Sequence, residues 1–132
     1  MGDRVLFQVI HTGREAPSVV THFGPVIYCH WSGYYALDIV QRLAKRMKDR
    51  QGDVDYATAR LVQECIGDNS SGNPHWYGDD ALGYGVWNTD KVLTAEDSHG
   101  DAGVVLIDCS KGFKVQCLGG YLVTPHEGAV CA

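Results

Sequence analysis

The sequence predicts an α+β domain in which an antiparallel β-sheet, built from an N-terminal strand and hairpin plus a C-terminal hairpin, packs against two consecutive helices. Short runs of β-branched and aromatic residues sit at both ends of the chain, RVLFQVIH near the start and VVLID with FKVQC near the end. Each is of strand length and too short for a buried helix. Between them, over residues 36–66, apolar residues recur at spacings of three and four, the period of a helix with one buried face. Glycine, at 16 of 132 residues, is about twice its ordinary share and supplies the turns such a fold needs.

The elements follow in order. RVLFQVIH is a buried strand and TGREAP the turn after it. SVVTHF and VIYCHW are both strand-like, and Gly24-Pro25 between them breaks the chain, so residues 18–31 read as an antiparallel hairpin. In VIYCHW, alternation places Ile27, Cys29 and Trp31 on one face, under the helices, and Tyr28 and His30 on the other. From Gly33 the period changes. Ala36, Leu37, Val40, Leu43, Ala44 and Met47 share a helical face, with Asp38, Gln41, Arg42, Lys45, Arg46, Lys48 and Asp49 opposite. Ser32 is the expected N-cap, the basic residues fall late, where the helix dipole favours them, and Gly52 stops the helix. Asp53 or Asp55 caps a second helix whose apolar face carries Val54, Ala57, Leu61, Val62, Cys65 and Ile66, ended by Gly67. Residues 68–90 lose all periodicity and form a long aromatic and glycine-rich loop. Val104 to Ile107, the Ser110-Lys111-Gly112 turn and the alternation of Phe113, Val115 and Cys117 make the C-terminal hairpin. The tail after Leu118 has room for one more short strand.

A single domain over residues 1–132 is the expectation from length, since a chain of this size buries a core without metal or disulfide staples. The net charge of −5 argues against direct nucleic-acid binding, which is driven by neutralising phosphates with Lys and Arg. No stretch approaches the roughly 18 apolar residues of a membrane helix, and no leader pattern precedes the first strand. Five cysteines, at 29, 65, 109, 117 and 131, form an odd set without close Cys-x2-Cys spacing. Free thiols in a reducing cytoplasm are the expected state.

Four groups of residues could carry chemistry. Cys29 and His30 are a thiol beside an imidazole, the components of a nucleophile and base. Neighbours on a strand point to opposite faces, so they cannot serve each other there, and Cys29 reads as a small core residue. Any of His11, His22, His75, His99 and His126 could partner it instead. A metal site is not expected, because the cysteines and histidines lack ligand spacings. Asp79-Asp80 and Glu96-Asp97 with Asp101 read as solvated loop charge, and nothing implies a cofactor. The fourth group is the loop at 68–90, where His75, Trp76, Tyr77, Tyr84 and Trp87 offer large, rigid contact area typical of binding hot spots. With Tyr28, His30 and Tyr34 at the outer edge of the second strand pair, they are the expected binding residues.

At IYCHWSGYYALDIVQRL the chain resembles a group of small proteins from bacteriophages and prophages that carry an Ile-Tyr-Cys-His-(Trp/Phe)-x-Gly-Tyr signature where a strand meets an amphipathic helix. The matching residues are Ile27, Tyr28, Cys29, His30, Trp31, Gly33 and Tyr34, and the likeness covers about residues 25–66. Tyr35 and Ala36 stand where the group usually has a proline or charged residue. The resemblance implies a phage-type accessory protein working in the host bacterial cytoplasm. Together with the acidic charge and the absence of enzyme motifs, it leads to the expectation of stoichiometric binding to a host bacterial protein, as an anti-defence inhibitor. Two alternatives stand beside it: a binder that sequesters a small nucleotide-type immune signal between the subunits of a homodimer, using Arg14, Arg42, Arg46, Arg60 or Lys91, and a hydrolase or transferase dependent on Cys29.

Overall fold

The computed structural model describes residues 3–12, 19–67, 83–110 and 112–123. Among the described residues six strands and two helices follow one another as β1 (Val5–Thr12), β2 (Val20–Phe23), β3 (Val26–Cys29), α1 (Ala36–Arg46), α2 (Val54–Gly67), β4 (Tyr84–Trp87), β5 (Gly103–Asp108) and β6 (Lys114–Leu118). Short 3-10 turns at Gly33–Tyr35 and Ala95–Asp97 complete the set. The strands form one sheet in the order β4-β3-β1-β5-β6, with β2 also on β1. The expected α+β arrangement, a sheet packed against two consecutive helices, is what the chain adopts.

The sheet is mixed rather than wholly antiparallel. β1 and β5 run parallel, in register from Val5 opposite Gly103 to Ile10 opposite Asp108, while the other pairs are antiparallel. A parallel pair needs a long crossover, and here the connection from β1 to β5 carries β2, β3, both helices and β4. Gly24-Pro25 does not turn the chain back. β2 pairs with the far half of β1 (Ile10 opposite Phe23) and β3 with the near half (Val5 opposite Cys29), so the dipeptide interrupts one extended line. The physical reason is that Gly24 still donates its N–H to the Val9 carbonyl at 2.9 Å, which keeps the chain alongside β1. Pro25, lacking an N–H, only breaks the ladder. The hairpin partner of β2 and β3 is β1 itself.

One face of the sheet is covered by the helices. Val5, Phe7, Val9, Ile27, Cys29, Val105 and Ile107 meet Ile39, Val40, Leu43, Met47, Val54, Ala57, Leu61 and Cys65 in one buried cluster. Each large side chain so buried contributes roughly 1.5–3 kcal/mol. The helix faces follow the sequence periods at Ala36, Val40, Leu43, Met47, Val54, Ala57, Leu61 and Cys65, but Ile39, Thr58 and Glu64 are buried as well and Leu37, Ala44, Val62 and Ile66 only partly so. Asp53 is the cap of α2, its carboxylate accepting the Tyr56 N–H at 3.0 Å. Ser32 is not the cap of α1. It precedes the 3-10 turn with its hydroxyl buried and no cap hydrogen bond, and Tyr35 stands at the N-cap position. The polar faces of the two helices are joined where the buried carboxylate of Glu64 accepts from Arg42 at 2.9 Å and pairs with Arg46.

The C-terminal hairpin is β5 with β6, Val105 opposite Cys117. Part of the stretch read as loop is strand: Tyr84–Trp87 adds to β3 as the edge of the sheet. Alternation in YGVW had the right period, but the surrounding glycines hid it. Residues 68–82, which hold His75, Trp76, Tyr77, Asp79 and Asp80, lie outside the described residues, as do residues 13–18 with Arg14 and the tail after 123 with His126.

Candidate functional site

Strand alternation decides which of the candidate residues can act together. In β3, Ile27 and Cys29 face the helices, and Val26 and Tyr28 the opposite, open face. Cys29 has no solvent-exposed surface. His30, just past the strand, turns to the Tyr28 side, its ring hydrogen-bonded to the Tyr28 hydroxyl, so the thiol and the imidazole of the Cys-His pair do not face each other. Trp31 departs from the expectation: it is half-buried rather than packed under the helices, because β3 ends at Cys29 and alternation ends with it. Its indole meets the His30 ring edge-on at 4.5 Å. On its other side it lies so close to Gly83, φ +85°, that a Cβ there would overlap it.

The β3–β4 register sets Trp87 opposite Val26 and Gly85 opposite Tyr28. Gly85 has no side chain to separate its neighbours, and the Tyr28 and Trp87 rings approach to 6.1 Å. The Tyr28 hydroxyl and His30 Nδ1 share a hydrogen bond of 2.6 Å. Burial pushes the Tyr28 phenol above its ordinary value, against the opposing charge of Arg4.

The chain between β4 and β5 supplies the rest of the site by folding back over this face. Gln8, the one polar side chain of β1 buried at 0% exposure, holds it there. Its amide donates to Gly24 O at 3.0 Å and Lys91 O at 3.1 Å, and accepts from the Leu93 N–H at 2.8 Å. Leu93 then packs with Leu6, Ile10, Val26, Val104 and Leu106 in a second core cluster. Thr94 and Asp97 form a reciprocal capping box, and Lys91 adds an ion pair to Asp97 at 2.5 Å. His99 arrives with its ring nearly parallel to Trp87, at 6.3 Å and 16°, and 5.6 Å from Tyr28. Asp101, at φ 52°, accepts from the backbone N–H of Arg4 at 3.0 Å and its Nε at 2.9 Å.

Between these groups lies a cleft of about 190 Å³, lined by Leu6 and Val26 of the sheet, by Leu93, by the rings of Trp87 and His99, and by Asn88, Thr89, Lys91 and Asp97. A dry cavity of roughly 150 Å³ holds a benzene-sized group, whereas sites for drug-sized ligands run to about 300–1,000 Å³. The cleft therefore fits one apolar side chain or one ring. Trp87 stays 43% exposed beside it.

Of the expected binding residues, the structure unites Tyr28, His30 and Trp87. It separates Tyr34, which is 74% exposed on the 3-10 turn and stacks edge-on with Tyr35. It also separates Tyr84, which sits opposite Cys29 and packs on the helix-side core. His99, Arg4, Asp101 and Leu93 complete the cluster. In the sequence His99 was one of five interchangeable histidines, with no local signal to single it out. Among the described residues no group of three or more His, Cys, Asp or Glu could hold a metal ion, and no described helix is long and apolar enough to cross a membrane.

The carboxylates that pin this segment make it sensitive to acid. The Lys91 ammonium, then the Thr94 N–H, holds Asp97 below its ordinary 3.8, and the backbone N–H of Arg4, then its guanidinium, does the same for Asp101. A carboxyl depressed in the folded state stabilises it fully above the unfolded pKa and loses that contribution as pH falls through the lower folded value. From about pH 5 to about pH 3, hydrogen exchange at Leu93 and Ser98, corrected for intrinsic rates, is expected to accelerate relative to Phe7 and Val9 in β1. Equal protection at both pH values would show that these pairs do not hold the segment.

Comparisons of the chain with protein-family models, with curated proteins and with solved structures give no match.

Proposed function

We propose that this chain works by stoichiometric binding to another protein, with one side chain of the partner seated in the cleft beside Trp87. The observation that carries this reading is the match between a cleft of about 190 Å³ and a single anchoring side chain, next to an exposed tryptophan at a sheet edge. Binding energy concentrates on such aromatic anchors and the small pockets around them. The resemblance to phage and prophage proteins supplies the partner class: a host bacterial defence protein, occupied and inhibited by the bound chain in the bacterial cytoplasm.

The alternatives receive less support. A sequestered nucleotide would need more room than the cleft offers, together with cations facing the aromatic cluster. Arg42 and Arg46 instead meet Glu64 on the helix side, and Arg60 donates to the Tyr56 hydroxyl at 2.6 Å. Lys91 and Arg4 do lie at the cleft's side of the sheet, each already paired with an aspartate. A hydrolase dependent on Cys29 would need substrate to reach a thiol enclosed between sheet and helices.

The test is native mass spectrometry of the tagged protein recaptured from bacterial lysate, followed by reconstitution with the purified partner. A discrete one-to-one protein complex is expected, with Trp87→Ala weakening it at least 30-fold, about 2 kcal/mol, as for a hot-spot residue. Tyr34→Ala, away from the cluster, leaves it unchanged. A mass shift of a few hundred daltons, or a complex indifferent to Trp87→Ala, would overturn the reading.

A further inference from the structure

The charge around the cleft specifies what kind of side chain belongs in it. Residues 88–101 carry four carboxylates, Asp90, Glu96, Asp97 and Asp101, and one cation, Lys91. Lys91 neutralises Asp97 and Arg4 neutralises Asp101. Asp90 and Glu96 are exposed and, among the described residues, form no ion pair. Each adjoins a residue that lines the cleft, Asp90 between Thr89 and Lys91 and Glu96 beside Asp97. The chain bordering the cleft thus carries two exposed carboxylates with no ion pair among the described residues, beside a lining that joins Leu6, Val26, Leu93 and the rings of Trp87 and His99 to the polar Asn88, Thr89, Lys91 and Asp97.

We infer that the partner segment presents an aliphatic or aromatic side chain flanked by lysine or arginine, the apolar group entering between Leu6, Leu93 and Trp87 and the cations meeting Asp90 and Glu96. This rests on the reading of the cleft as a protein-docking site and gives that site its specificity. Rim charges of this kind act mainly on encounter rate and partner choice, while the buried anchor sets the lifetime of the complex. Their influence falls with added salt, since the Debye length shortens from about 30 Å at 0.01 M to about 8 Å at 0.15 M. An anionic segment would meet repulsion at the same mouth.

Three capped tripeptides test this, Arg-Leu-Arg, Glu-Leu-Glu and Arg-Ser-Arg, titrated into the intact protein. The reporters are the NMR shifts of the Trp87 indole N–H and the Gln8 side-chain amide. Arg-Leu-Arg is expected to move both, weakly and saturably, and to lose affinity several-fold between about 0.01 and about 0.15 M salt. The double variant Asp90→Asn with Glu96→Gln, two exposed side chains that form no ion pair among the described residues, is expected to weaken it about fivefold. Glu-Leu-Glu and Arg-Ser-Arg are expected to leave both signals in place. If Glu-Leu-Glu binds as well as Arg-Leu-Arg, the charge inference fails and the docking cleft stands. If Arg-Ser-Arg matches Arg-Leu-Arg, the attraction is electrostatic without an anchor, and the inference fails. If no peptide moves either signal, the docking reading of the cleft fails with it.

Discussion

Gln8→Leu is expected to destabilise the fold by about 3 kcal/mol and to abolish binding at the cleft together with it. Leucine fills a similar volume, so a packing argument alone would call the change mild. The cost comes from the polar groups left behind. The Leu93 N–H loses its acceptor and the Gly24 carbonyl its donor, while the Lys91 carbonyl keeps only the Thr89 hydroxyl at 3.3 Å. Each buried, unsatisfied group costs roughly 1–3 kcal/mol. Because all three partners belong to the chain that crosses the open face or to the Gly24 corner, the damage falls on the site rather than on the helix side of the sheet. Urea unfolding gives the stability change, and hydrogen exchange locates it. Exchange is expected to rise most at residues 91–99 while Phe7 and Val9 follow only the global loss. A loss below about 1 kcal/mol, or one spread evenly, would show that Gln8 does not hold the segment.

Gly103→Ala is expected to cost more, at least about 3 kcal/mol, enough to leave a large unfolded fraction in a domain of ordinary stability. Gly103 opens β5 at φ +96°, where an L side chain is strained by roughly 1–3 kcal/mol on backbone grounds alone. A Cβ there would also overlap the Leu118 carbonyl oxygen and come within 2.7 Å of the Gly120 nitrogen. These are backbone atoms and cannot swing aside. Gly112 separates the two terms. Its φ is +75°, yet a Cβ would meet nothing within 4 Å, so Gly112→Ala is expected to cost only about 1 kcal/mol. Equal losses in the two variants, read by urea unfolding, would mean that the contact with β6 is not what requires glycine at 103.

How far the sequence could be read follows from how local each signal is. Helix faces, the Asp53 cap and the strand character of VLFQVIH and VVLID were legible because a helix or strand shows its period within a few residues. The burial of Cys29 was legible for the same reason. Gly24-Pro25 misled because the same dipeptide can turn a chain or merely interrupt a strand. The choice depends on whether a neighbouring strand offers an acceptor to Gly24, and here Val9 does. Ser32 misled similarly: its residue type suits a cap, but the 3-10 turn places it one turn too early.

By itself, then, the sequence determined an α+β domain, the two helices with most but not all of their buried residues (Ile39, Thr58 and Glu64 being missed), and the side of the sheet on which Tyr28 and His30 stand. The tertiary structure alone decided that β1 and β5 run parallel as neighbours, and through that pairing which residues share a site. Arg4 and Asp101 are 97 residues apart in sequence yet hydrogen-bonded, and the same pairing brings His99 to Tyr28 and Trp87. Contacts of that kind leave no periodic trace in the chain. They arise because Gln8 and the parallel pair fold a polar, aperiodic segment onto an apolar face that would otherwise be open to water.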